Sequence, residues 1–176
     1  MSEIFISYYN SPYGELILGT YNEQLCLCDW RYRKMRDAVD NRIKKILNAS
    51  FTKGNSKVLE ETVRQLEMYF KGELKQFNLP VLYAGTDFQK QVWSELMNIP
   101  YGNTETYLNL SKRLGNVKAI RAVATANGAN AISIIVPCHR IIGSDGSLVG
   151  YAGGLPAKKK LLDLENPERD RQLGLF

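Results

Sequence analysis

Two short stretches of "PYGELILGTYNEQLCLCDW", around residues 14–20 and 24–30, have the period-two pattern of half-buried strands. The polar turn "YNEQ" joins them, which predicts an antiparallel hairpin. A basic helix is expected near 34–47. "SKVLEETVRQLEMYFKGEL" then places Val58, Leu59, Val63, Leu66 and Tyr69 at helical spacing, with Gly72 positioned to end the helix. "KQFNLPVLYAGT" carries the Pro and Gly punctuation of a connector.

Beyond the connector the period changes to that of helices. In "TDFQKQVWSELMNI", Thr86 or Asp87 can cap a helix whose buried stripe is Phe88, Val92, Trp93 and Leu96. "PYGNT" is a turn. A helix from about 106 to 114, a tight Gly115-Asn116 turn and a second helix from 117 to about 126 follow, in the outline of a helix-turn-helix. The second helix carries Lys118 and Arg121 and is crowded with small residues, which suits close approach to DNA and close helix packing alike. "PAKKKLLDLE" resumes helical spacing. The expected fold is mixed α/β (α+β): a sheet-bearing unit over 1–80, a mainly helical unit over 86–167, and a tail over 168–176.

The composition is that of an ordinary globular protein, with 44% hydrophobic and 23% charged residues in 176. No run approaches the roughly 20 apolar residues of a membrane span, and "MSEIFISYYN" lacks a signal-peptide pattern, so a cytoplasmic protein with no membrane association is expected. A net charge of +5 is compatible with a nucleic-acid partner and equally with a solvated basic surface. Cys26, Cys28 and Cys138 cannot all pair. Cys26 and Cys28 alternate as strand residues on one face and are read as small core residues. With a single histidine in the chain, no zinc or other metal site is expected.

The segment "IIVPCHRIIGSDG" sets Cys138, His139 and Arg140 inside an apolar run. A lone cysteine is usually a small hydrophobe. Beside an imidazole and a guanidinium it is a candidate nucleophile, because only the thiolate attacks strongly and both neighbours would favour it. In a regular strand Cys138 and His139 would point to opposite faces, so either the backbone turns at Pro137 or a water links them. A histidine base needs a partner on its second nitrogen, for which Asp145, Asp163 and Glu165 are available. The glycines at 143, 146, 150, 153 and 154, with Tyr151 among them, resemble a pocket wall.

From about Phe88 to Glu165 the chain resembles the O6-alkylguanine-DNA alkyltransferases. The resemblance rests on "IPYGNTETY", "GNVKAIRAV", the asparagine of "GANA", "IIVPCHRII" and "GYAGGLPAKKKLLDLE", in the family's order and spacing. It implies a ribonuclease-H-like N-terminal unit and irreversible, single-turnover transfer of an alkyl group to Cys138 from O6-alkylguanine in duplex DNA, with O4-alkylthymine as a second substrate. It implies no cofactor and a monomer. His139 would deprotonate Cys138 through a water, Glu165 would hold the imidazole, and Asn130 would brace the junction with the second helix. Arg121 would replace the extruded nucleotide in the stack. Tyr107 would press on the target phosphate and help protonate the leaving base, with Asn116 and Ser144 as further DNA contacts. Tyr151, Ala152, Gly153 and Ile141 would line the pocket. Ala131 stands where many members have proline, and Ala152 where some have serine. A non-catalytic lesion-binding protein and a cysteine hydrolase are the rival readings. The presence of Cys138 speaks against the first, and a histidine adjacent to the cysteine against the second.

The C-terminal Gln172, Leu173, Gly174, Leu175 and Phe176 resemble the short peptide by which bacterial DNA-processing proteins bind the sliding clamp. A tail packed against its own domain is the alternative.

Overall fold

A computed structural model describes residues 2–169. A four-stranded sheet in the order β3-β2-β1-β4 is built from β1 (Ser2–Ser11), β2 (Gly14–Tyr21), β3 (Gln24–Trp30) and β4 (Ala49–Lys53). The predicted hairpin is β2–β3. Its two-residue turn puts Asn22 and Glu23 at φ 48° and 60°, the left-handed pair that matches strand twist. β1 and β4, which pair in parallel, are strands the sequence reading did not assign; β1 buries Ile4 and Ile6.

α1 (Arg36–Leu47) and α2 (Lys57–Phe70) complete this part. Val39 and Ile43 of α1 join a core cluster with Ile4, Ile17 and Leu27, whereas Leu59, Leu66 and Tyr69 of α2 join another with Leu16, Leu18 and Leu25. Cys26 and Cys28 do not share a face as the alternation predicted. The β2–β3 register shifts between Gly19 and Thr20, which oppose Leu27 and Leu25, so Cys26 is an extra residue and the two thiols fall in different clusters. Both are buried.

α3 (Asp87–Leu96) starts with a capping box in which Thr86 accepts from Gln89 N–H and the Gln89 side chain reaches back to the Thr86 amide. α4 (Tyr107–Arg113) is capped by Thr106, and Gly115 turns the chain at φ 80°. The second helix of the motif differs slightly from expectation. Asn116 caps a 3-10 turn, Val117–Ala119, which leads into α5 (Ile120–Gly128), running on through the small residues to Gly128. Trp93 of α3 donates to the Ala126 carbonyl of α5 at 2.8 Å, fixing that helix on the body. α6 (Leu155–Glu165) closes the described chain.

The free edge of β3 is what positions the site. Cys28 N–H donates to Ala131 O at 2.8 Å and Ser133 N–H to Cys28 O at 2.7 Å, so the segment entering the Cys-His motif runs parallel beside β3. An otherwise open strand edge thereby becomes the support of the motif. Two short strands, β5 (Glu105–Thr106) and β6 (Ile141–Ile142), pair in parallel on the other side of it.

Candidate active site

Between α5 and the Cys-His motif the chain makes a tight, strained loop. Ile134, 1% exposed, sits at φ 73°, a conformation that costs a side-chain-bearing residue roughly 1–2 kcal/mol. The Asn130 side chain holds the loop from inside, accepting from Ile132 N–H and donating to Val136 O, each at 2.9 Å. Pro137, at φ −83° and ψ 62°, then delivers the chain into a 3-10 turn over Cys138–Arg140. That turn removes the strand alternation that would have set the thiol and the imidazole on opposite faces.

Cys138 lines a cavity of 280 Å³ with Arg33, Tyr107, Ala124, Asn127, Gly128, Gly150, Tyr151 and Ala152. Burial raises the thiol's pKa, opposed by the Asn130 amide and by the nearby charges of Lys158 and Arg33. Cys26, without comparable help, is pushed up to about 12. The cations acting on the thiol are therefore Lys158 and Arg33. Arg140, expected to favour the thiolate, turns away: it chelates Glu165 through Nε and Nη2 and donates to Ile99 O.

The three acidic candidates separate cleanly. Glu165 Oε1 lies 2.8 Å from His139 Nε2, while Asp145 accepts from Ser147 and Asp163 pairs with Lys159 and Arg169. Burial would raise the Glu165 carboxyl, but His139 and Arg140 bring it down to about 2. Burial lowers the His139 pKa despite the carboxylate. The pair therefore rests as a neutral imidazole, Nε2–H donating to an ionised carboxylate. Its Nδ1 has no hydrogen-bond partner among the described residues, so the basic lone pair stands available. No hydrogen bond joins the thiol directly to the imidazole among the described residues, consistent with a relay through an intervening water.

Tyr107, Tyr151 and Ala152 line the cavity with Cys138. Ile141 does not; it is fully buried in the core and pairs with Glu105. Gly153 lines a neighbouring cleft, not the cavity, and lies against the Trp30 ring, 2.6 Å from where its Cβ would be. Arg121, Asn116 and Ser144 are exposed, Arg121 on α5 and Ser144 on the loop that follows β6. The residues Gln172, Leu173, Leu175 and Phe176 lie outside the described residues.

Several supporting residues escaped the sequence reading because their partners are remote in the chain. Tyr69 donates to Glu165 Oε1 at 2.9 Å from α2, and Trp30 Nε1 donates to the Tyr151 hydroxyl at 3.1 Å. Lys158, fully buried, donates to the carbonyls of Ile141, Val149 and Gly150 and so fixes the glycine-rich wall. Arg33 donates to the Gly128 and Asn130 carbonyls and pairs with buried Asp29, which also accepts from Arg36 and Ser133. The charge pattern of "CDWRYRKMR" was the one available signal for this cluster.

Comparison with known proteins agrees with this arrangement. The 6-O-methylguanine DNA methyltransferase, ribonuclease-like domain matches residues 4–83, and the 6-O-methylguanine DNA methyltransferase, DNA binding domain matches residues 87–167. A methylated-DNA–protein-cysteine methyltransferase of Methanosarcina acetivorans is 44% identical over 163 residues, 92% of this chain and 98% of the relative. The crystal structure of Mycobacterium tuberculosis O6-methylguanine methyltransferase aligns with a TM-score of 0.79 at 36% identity, covering 93% of each chain. Mycobacterium tuberculosis OGT in complex with DNA aligns at 0.78 and 36% identity, over 98% of this chain and 99% of that one. A thiol-lined cavity backed by a buried His-Glu pair, on a chain similar to such a relative over nearly its whole length, places this protein in the 6-O-methylguanine DNA methyltransferase family.

Proposed function

We propose that the chain repairs DNA directly, by moving an alkyl group from the O6 atom of guanine in duplex DNA to Sγ of Cys138. The observation that carries this reading is the placing of Cys138 in an open cavity while His139 and Glu165 lie sealed behind it. In the step, a bond forms between Sγ and the alkyl carbon as the carbon–O6 bond breaks. The electron pair of the broken bond goes to the guanine. The thiol proton passes through water to His139 Nδ1, whose charge Glu165 then balances. The departing base is neutralised by a proton from the Tyr107 hydroxyl at the cavity wall. The product is a stable thioether, so in this reading each molecule acts once, and no cofactor takes part.

A base buried in a stacked duplex cannot reach a cavity of this depth without leaving the stack. In this reading Arg121, exposed on α5, fills its place, and Lys118, Asn116 and Ser144, also exposed, contact the DNA backbone. The family relation and the relative solved with DNA support duplex DNA as the partner. We read the protein as a cytoplasmic monomer; no helix among the described residues is long and apolar enough to cross a membrane. Counting O6-methylguanine remaining in a duplex as protein is added tests the reading. Loss of one lesion per chain is expected, and undiminished lesion at a molar excess of protein would defeat it.

The last five residues, Gln172 to Phe176, we assign to binding a sliding clamp. The support is the sequence match of these residues to that peptide. A peptide of residues 169–176 should bind a bacterial clamp, and the same peptide with Leu175 and Phe176 replaced by alanine should not. Equal or absent binding would remove the assignment.

A further inference from the structure

Tyr69 belongs to α2, in the sheet-bearing part of the chain, yet its hydroxyl donates to Glu165 Oε1 at 2.9 Å. Burial and the charge of Glu165 hold the phenol protonated, so the tyrosine is the donor. The same oxygen accepts from His139 Nε2 at 2.8 Å and from Arg140 Nη2 at 2.8 Å, while Oε2 accepts from Arg140 Nε at 2.9 Å. The donors therefore crowd onto the atom that meets the imidazole. Each further donor draws charge from that oxygen and leaves less for the bond from His139.

This sharing bears on the step at Cys138. His139 must be neutral at rest to accept the thiol proton, and a carboxylate with its charge undivided would hold the imidazole protonated. The charges around the pair are otherwise fixed. Arg140 in the same turn and Lys158 of α6 oppose a proton on His139, as burial does, and the Tyr151 ring lies edge-on at 6.4 Å. Tyr101, in the turn after α3, feels the charge of Glu165, but its hydroxyl donates to Leu164 O at 3.4 Å. Tyr69 is thus the neutral side chain, among the described residues, that donates to the carboxylate.

We propose that Tyr69 is a positioning residue for the transfer: by sharing Glu165 Oε1 with His139, it sets how tightly the carboxylate holds the imidazole and keeps His139 unprotonated at rest. Its kinetic consequence rests on the alkyl-transfer reading above. Through it the ribonuclease-like part of the chain tunes proton transfer at a thiol whose cavity Tyr69 does not line.

His139 is the single histidine of the chain, so its ring signals in a magnetic-resonance spectrum belong to it alone. The experiment compares the wild type with Tyr69→Phe and with Tyr101→Phe, which loses a nearby hydroxyl that bonds a backbone carbonyl instead. The Nε2–H resonance is recorded at pH 7, and single-turnover transfer from an O6-methylguanine duplex is followed against pH. In Tyr69→Phe the resonance should move downfield as the bond to Glu165 strengthens. The pH at which transfer falls to half its plateau on the acid side should rise by about 0.5–1 unit, the size of one hydrogen bond. Tyr101→Phe should show neither change. Replacing Tyr69 with 3-fluorotyrosine, a stronger donor of nearly the same shape, should move both readouts the opposite way, and it serves where the phenylalanine variant folds poorly. Lost packing alone would scale the rate equally at every pH. A resonance or an acid limb unmoved in both Tyr69 variants, or an equal movement in Tyr101→Phe, would overturn the role of Tyr69. Failure of the wild type to react with the duplex at all would instead overturn the alkyl-transfer reading, and the resonance would still decide how Tyr69 acts on the pair.

Discussion

His139 and Glu165, 26 residues apart in sequence, meet at 2.8 Å with side chains 0% and 1% exposed. The carboxylate also accepts from Tyr69 and is chelated by Arg140, so one oxygen pair ties the Cys138–Arg140 turn, α2 and α6 together. Replacing Glu165 by glutamine would strand the Arg140 guanidinium without its counter-charge. A loss of about 3 to 5 kcal/mol at neutral pH is expected, with a large fall in transfer rate.

The same pair sets an acid-sensitive window. Its folded pKa of about 2 lies below the ordinary 4.5. The stabilisation is therefore complete above about pH 4.5 and is lost as pH falls towards 2, amounting to about 3 kcal/mol. Urea denaturation at pH 7 and at pH 3 should show the gap between wild type and Glu165→Gln narrowing at the lower pH. A constant gap would mean that the carboxylate's charge contributes nothing.

Gly153 lies where a Cβ would come within 2.6 Å of the Trp30 indole, and that indole donates to the Tyr151 hydroxyl. Gly153→Ala is expected to cost about 1–3 kcal/mol by overpacking and to slow transfer by displacing Tyr151. Equilibrium denaturation alongside single-turnover kinetics would show both losses together.

Lys158 is a buried cation whose three partners are backbone carbonyls, and burial lowers its pKa to about 8. Lys158→Met leaves those carbonyls unpaired under an apolar cover. We expect a loss of about 3 kcal/mol or more, together with faster amide exchange over residues 143–150 as the glycine-rich wall loses its anchor.

Arg121 stands exposed at the start of α5. Arg121→Ala should leave stability within about 0.5 kcal/mol of wild type, since it removes no buried contact. Transfer from duplex DNA should fall at least about 10-fold, while alkylation of Cys138 by a small soluble reagent stays unchanged, because only the first requires an extruded base.

Where local chemistry determined structure, it was legible along the chain. Thr86 and Gln89 form their capping box within four residues, Gly72 and Gly115 turn at positive φ where the periodic runs stop, and the chain turns at Pro137 into the Cys-His segment. The bulge at Cys26 was hidden, because alternation in one strand says nothing of its partner's register. The supports of the site were hidden for the same kind of reason. Tyr69 reaches Glu165 across 96 residues and Ser133 reaches Asp29 across 104, and neither pairing leaves a trace in any local period. Lys158, in a run of three lysines, looks like a solvated face until its helix is packed and one of the three is found at 0% exposure.

The central claim is that Cys138, alone of the three thiols, accepts the alkyl group once. Protein incubated with an excess of duplex containing O6-methylguanine, then measured by intact mass and peptide mapping, tests it directly. One methyl per chain, mapped to the peptide holding Cys138 and absent in Cys138→Ser, is the expected result. An unchanged mass, a methyl on Cys26 or Cys28, or uptake that continues past one per chain would contradict the account.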